Sequence, residues 1–118
     1  MINDFKFKAV RTDKLSKTFP SSQAWKVTIT APGGKSITRD YFRGPALKDE
    51  PQIMEVLECL ISDAEAVADR SVEDFMGDFG YEDYATALKA YKACERTANR
   101  FAEILTPLEY DVLVRTFR

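Results

Sequence analysis

Histidine is absent from this 118-residue chain. Its absence removes the usual general base near neutral pH and the commonest metal ligand. Only two cysteines occur, Cys59 and Cys94, and they form no C-x-x-C pair that would suggest a zinc or redox site. Both fall on the apolar-periodic sides of predicted helices, so buried, reduced thiols are expected. Glycine and proline number 5 each, too few for a fibrous or low-complexity chain. No stretch approaches the roughly 20 consecutive apolar residues that a membrane span requires. The opening MINDFKFKAV lacks the apolar segment of a secretory signal, and a cytoplasmic protein with no membrane contact is expected.

Motifs that carry chemistry are also missing. G-x-G-x-x-G, the P-loop, H-E-x-x-H and G-x-S-x-G do not occur. Pro32-Gly33-Gly34-Lys35-Ser36 has a superficial likeness to a phosphate loop, but it lacks the motif's first Gly and sits between two predicted strands, so a hairpin turn is expected. The carboxylates Asp74, Asp78, Glu82 and Asp83 do not match the spacing of an EF-hand loop. The expectation is a protein without catalytic residues, metal or cofactor.

What is present is a globular composition, 45% apolar and 31% charged, read as one α+β domain over 1–118, with a basic β part at 1–48 and a helical part at 49–118. Residues 4–11 alternate Phe5, Phe7 and Ala9 against Lys6, Lys8 and Val10. Residues 24–30 set Trp25, Val27 and Ile29 against Lys26, Thr28 and Thr30. Both are the period-2 pattern of strands with one buried face. After Pro32, Gly33 and Gly34, the β-branched and aromatic segment 37–42 gives a third strand and completes an antiparallel meander. The polar stretch 12–23, with Pro20, reads as a loop.

The periodicity then changes to that of helices. Ile53, Val56, Leu57, Leu60, Ile61, Ala64, Val67 and Ala68 predict a helix over about 51–70. Ser71 with Asp74 opens a short helix that Gly77 or Gly80 stops. Tyr84, Leu88, Tyr91, Cys94, Ala98, Phe101 and Leu105 predict a long helix over about 83–105. Thr106-Pro107-Leu108-Glu109 places an N-cap, a first-turn Pro and an N3 Glu at the start of a last one. The fold class is therefore α+β, a three-stranded antiparallel meander followed by about four helices packed on one face. Trp25, Val27, Ile29, Leu57, Leu60, Ile61, Leu88, Tyr91 and Phe101 are the expected core.

Charge is segregated. Residues 1–48 hold 10 Lys or Arg against 3 Asp or Glu, and residues 49–83 hold Arg70 as their sole base against 12 acids. On the first helix, Glu55, Glu58, Glu65 and Asp69 are expected to form one line along the solvent face, with carboxylates about 4.5 to 10 Å apart along the axis. Glu73, Asp74, Asp78, Glu82 and Asp83 would continue this acidic track. Solvated helix faces usually mix signs, because Glu and Lys four apart attract and like charges repel. The track can still be a solvated face neutralised by the chain's own basic strands. It can also be a surface that presents carboxylates where a partner expects phosphates, spaced about 3.4 Å per strand in DNA. Lys6, Lys8, Arg11, Lys14 and Lys17 offer the opposite possibility, nucleic-acid binding by the strands. However, Phe5, Phe7 and Trp25 alternate onto the other face.

The stretch Asp40-Tyr41-Phe42-Arg43-Gly44, the helix IMEVLECLISDA from Ile53 to Ala64, the turn Asp78-Phe79-Gly80-Tyr81 and the spacing of Ala87, Tyr91 and Cys94 resemble small uncharacterised accessory proteins of tailed phages and prophages. The resemblance covers about 24–100 and departs after Tyr81, with Tyr84 where Ser or Asp is common. It implies a phage or mobile-element protein acting in the host cytoplasm. The resemblance carries no activity with it; by analogy with acidic anti-CRISPR inhibitors, a non-enzymatic binder of a host protein or nucleoprotein complex is expected. A structural or regulatory accessory protein, an adaptor or a homodimer, is the other reading left open.

Overall fold

The structure, a computed structural model, describes residues 2–14, 21–44 and 49–117. The fold is α+β: a three-stranded antiparallel sheet in the order β1-β2-β3 precedes four α-helices among the described residues. The chain divides into two compact units, Met1–Leu57 and Glu58–Arg118.

The first unit holds a short 3-10 turn at Ile2–Asp4 and the strands β1 (Lys6–Thr12), β2 (Gln23–Thr30) and β3 (Ser36–Arg43). The alternation in the sequence sets the pleat. Trp25, Val27 and Ile29 of β2 are all buried, and Ile29 stands between Phe7 and Ile37 in the register. The opposite face carries the exposed side chains of Lys6, Lys8, Val10 and Lys26, as period-2 alternation requires. The β2–β3 turn is closed by Ala31 N–H to the Lys35 carbonyl (2.8 Å) and Gly34 N–H to the Ala31 carbonyl (2.9 Å). Gly34 adopts φ +94°, a conformation open to Gly and strained for other residues. The Pro-Gly-Gly segment is thus a hairpin turn. Residues 15–20 of the expected loop lie outside the described residues.

Helix α1 (Ile53–Val67) starts in this unit. It is shorter than the sequence period suggests. Its apolar phase is as expected, with Val56, Leu57, Leu60, Ile61, Ala64 and Val67 buried. It ends early because Asp69 takes φ +57°, a left-handed conformation that terminates helices and that Asp tolerates better than most residues.

The second unit continues with α2 (Val72–Asp78), α3 (Tyr84–Ile104) and α4 (Pro107–Thr116). The starts follow from local chemistry. Ser71 Oγ accepts from Asp74 N–H, Asp83 accepts from Thr86 N–H, and Thr106 with Glu109 forms a complete capping box. Gly77 lies inside α2, and Gly80 at φ +71° ends the turn behind it.

Two expectations about packing are corrected. Leu88 and Tyr91 are half-buried, while α3 buries Ala87, Thr97, Phe101 and Ile104. The cysteines are not core residues either: Cys59 is exposed and Cys94 half-buried, and both are free of disulfides. Burial, and secondarily the Asp63 carboxylate, pushes the Cys94 thiol up to about 11, so it is protonated and unreactive at neutral pH.

Asp83 carries a pH-dependent contribution. Hydrogen bonds from the Thr86 hydroxyl and the Thr86 N–H hold its carboxyl below the ordinary value of 3.8. A lowered folded-state pKa stabilises the protein above the unfolded value, and that stability is lost as pH falls through the folded value. The thermal midpoint of the wild type should therefore exceed that of Asp83→Asn at neutral pH, because Asn caps without titrating. The gap should close as pH falls below 3.8. Calorimetry of the two proteins across that range checks this, with the other carboxylates common to both.

Candidate functional site

The nine acidic residues of the predicted track do not form one line. Glu55 belongs to the first unit and is tied to β3: Tyr41 donates its hydroxyl to Glu55 Oε2 at 2.8 Å, and Arg43 Nε stands 3.0 Å from the same oxygen. Its Oε1 also accepts from Gln52 N–H. Glu55 is therefore an anchor between the first turn of α1 and the sheet edge, not a free carboxylate of a solvent face. Because the Arg43 side chain is only 13% exposed, Glu55→Ala leaves a largely buried cation without its carboxylate, with the Asp49 carbonyl still accepting from Nη1. The expected loss is about 1 to 3 kcal/mol, measured by urea unfolding. The milder Glu55→Gln should recover part of it.

Asp69 also leaves the line, since α1 ends at Val67 and the left-handed turn redirects the chain. This turn builds a different grouping. Glu65, Asp69, Asp74 and Asp78 line one pocket of about 460 Å³ together with Ala68 and Arg70. Glu58, Glu73, Glu82 and Asp83 lie outside it and are exposed. Each of several acids has a local role. Tyr110 donates to Glu65 at 3.0 Å, Asp78 pairs with Arg70 at 2.9 Å, and Asp83 caps α3. Glu73 and Asp74 sit in the first turn of α2, where the helix dipole favours negative charge.

Arg70 is the organising residue, and its isolation among acids is the one sign of it legible beforehand. Its Nη1 donates to the Ala66 carbonyl at 2.9 Å and reaches the Glu65 carbonyl at 3.4 Å, closing the end of α1. Its Nε bonds Asp78, its guanidinium lies 5.1 Å from the centroid of the Phe79 ring, and its own carbonyl accepts from Tyr91 at 2.6 Å. A planar fork with this many directed donors is not replaceable by an ammonium. Arg70→Ala should lose about 1.5 to 3 kcal/mol, and Arg70→Lys should recover little of it in chemical denaturation.

The Phe79-Gly80-Tyr81 turn is held by an aromatic cluster. Phe75 is its buried centre, with Phe79, Tyr81 and Tyr91 rings at 4.9, 5.4 and 5.5 Å. Phe79 itself is half exposed.

A second concavity, about 480 Å³, runs between α1, α3 and α4. Its lining is mostly apolar, from Ala64 and Ala68 to Ala98, Ala102, Leu105 and Pro107, with Tyr91 and Tyr110 as aromatic walls and Glu65 and Glu95 as its charged groups. Sequence periodicity had no means of showing it, because small alanines from two helices create the space.

Among the described residues, no group of three or more Cys, Asp or Glu side chains converges to hold a metal ion, and no helix is long and apolar enough to cross a membrane. Comparison with protein-family models, curated proteins and solved structures finds no match to this chain.

Proposed function

We propose that the chain is a phage-encoded, non-enzymatic binding protein whose acidic surface, built by the end of α1, α2 and the start of α3, occupies a basic, nucleic-acid-binding surface of a host defence complex. The carrying observation is the exposure of Glu58, Asp69, Glu73, Asp74, Asp78, Glu82 and Asp83. Across 49–83 the sole base is Arg70, whose guanidinium is engaged at the end of α1. Exposed carboxylates that so outnumber the bases of their own segment favour steering toward a cationic surface. Phage origin rests on the sequence resemblance alone.

The competing reading uses the basic sheet face. Lys6, Lys8 and Lys26 are exposed there, but Trp25 and Phe5 are buried. The face therefore offers phosphate contacts without the stacking platform that single-stranded binding uses.

The test is capture of host proteins on the immobilised chain, with double-stranded DNA as competitor. Release of the captured complex by DNA and by added salt is the expected result, since exposed charge pairs are screened over about 8 Å at physiological ionic strength. A captured complex indifferent to both overturns the reading. Direct retention of labelled DNA by the chain itself favours the basic face instead.

A further inference from the structure

We infer that the apolar groove between α1, α3 and α4, with the acidic pocket that adjoins it, is a docking site for a partner's peptide segment carrying a large apolar side chain next to Arg or Lys. The inference rests on reading the acidic surface as a partner-binding one, and it adds what that surface recognises. The two concavities share Glu65 and Ala68, so an apolar compartment lies directly beside a carboxylate one. Glu65 is held in place by the Tyr110 hydroxyl at 3.0 Å, which fixes a negative charge at the junction.

Charge complementarity defines the occupant. The apolar groove has Glu65 and Glu95 as its charged lining and no Lys or Arg. The adjoining pocket adds Asp69, Asp74 and Asp78 against a single cation, Arg70. That cation is committed to the end of α1, to Asp78 and to the Phe79 ring. An incoming group must be apolar at one end and positive at the other. The floor selects a segment rather than a compact amine. Its α3 side runs from Tyr91 to Ala102, about 16 Å at 1.5 Å per residue, the length of roughly five extended residues. Small side chains at Ala98 and Ala102 leave room for an anchor side chain, and anchors that fill desolvated pockets carry much of the binding energy of interfaces.

The test uses amide NMR spectra of the whole chain. The probes are the capped peptide Ac-LRALRA-NH2, its acidic counterpart Ac-LEALEA-NH2 and free phenethylammonium. The basic peptide should shift amides of 64–69 and 91–107, and the acidic peptide should not. Ala102→Trp fills the groove from an exposed position, and Glu95→Lys reverses its rim charge on the solvent side of α3. Each should weaken the basic peptide about tenfold or more. The inference is overturned if the basic peptide moves no groove amides at millimolar concentration, or if it binds both variants as it binds the wild type. Phenethylammonium binding as tightly as the peptide makes this a small-amine site and overturns the docking role. Groove shifts that grow with protein concentration alone assign the groove to a second copy, with the same effect. DNA-competed capture that persists at full strength in Ala102→Trp overturns the groove while leaving the acidic surface standing, so the two failures are distinguishable.

Discussion

Phe101→Ala is expected to cost about 3 to 5 kcal/mol, a large part of the roughly 5 to 15 kcal/mol that holds a domain together. Phe101 is fully buried near the end of α3, with the Tyr110 ring of α4 at 6.0 Å. Truncation removes the ring's transfer free energy and leaves a void that α-helices held by capped ends cannot readily collapse into. A control sits seven residues on. Leu108, 70% exposed, should tolerate Ala within about 0.5 kcal/mol. Urea unfolding of both variants checks the contrast. A loss below 1 kcal/mol at Phe101 contradicts the packing described for the second unit.

Where the sequence was legible, one local rule determined the outcome. Period-2 alternation reveals β2 because Trp25, Val27 and Ile29 face one way and Lys26 the other. Thr106, Pro107 and Glu109 specify the start of α4 by hydrogen bonds within four residues. The phase of α1 is readable because Leu57, Leu60 and Ile61 are unambiguous hydrophobes. Where reading failed, the deciding contact was remote or the residue types were neutral. α3 turns Ala87 and Thr97 inward, and neither Ala nor Thr announces burial. Cys59 lies on the exposed side of α1, although cysteine is among the most often buried residue types.

The grouping of the acidic residues also depends on contacts that spacing does not register. A helical line through Glu55, Glu58, Glu65 and Asp69 follows from spacing alone. The salt bridge from Arg43 to Glu55 joins residues on different elements, and α1 stops at a left-handed turn at Asp69, with Arg70 bonding the Ala66 carbonyl. Periodicity registers neither event. The regrouping at Asp69, Asp74 and Asp78 is a tertiary consequence of where α1 stops. It also changes which substitutions are informative: reversing Glu55 or Glu65 breaks contacts to Arg43 and Tyr110, so lost binding in such variants would mix folding with recognition.

The central claim is that the exposed carboxylates bind a partner, and a variant that spares the structural acids tests it. Glu58→Lys, Asp69→Asn, Glu73→Gln and Glu82→Lys leave Glu55, Glu65, Asp78 and Asp83 with their partners, and Asn keeps the left-handed turn accessible. Relieved like-charge repulsion and the lost helix-dipole interaction of Glu73 oppose each other, so thermal stability should change little. The measurement is the affinity of this variant for the DNA-competed host complex, taken beside its circular dichroism spectrum. The account predicts a native spectrum with binding weakened at least about tenfold, or 1.4 kcal/mol. A natively folded variant that retains full affinity contradicts it.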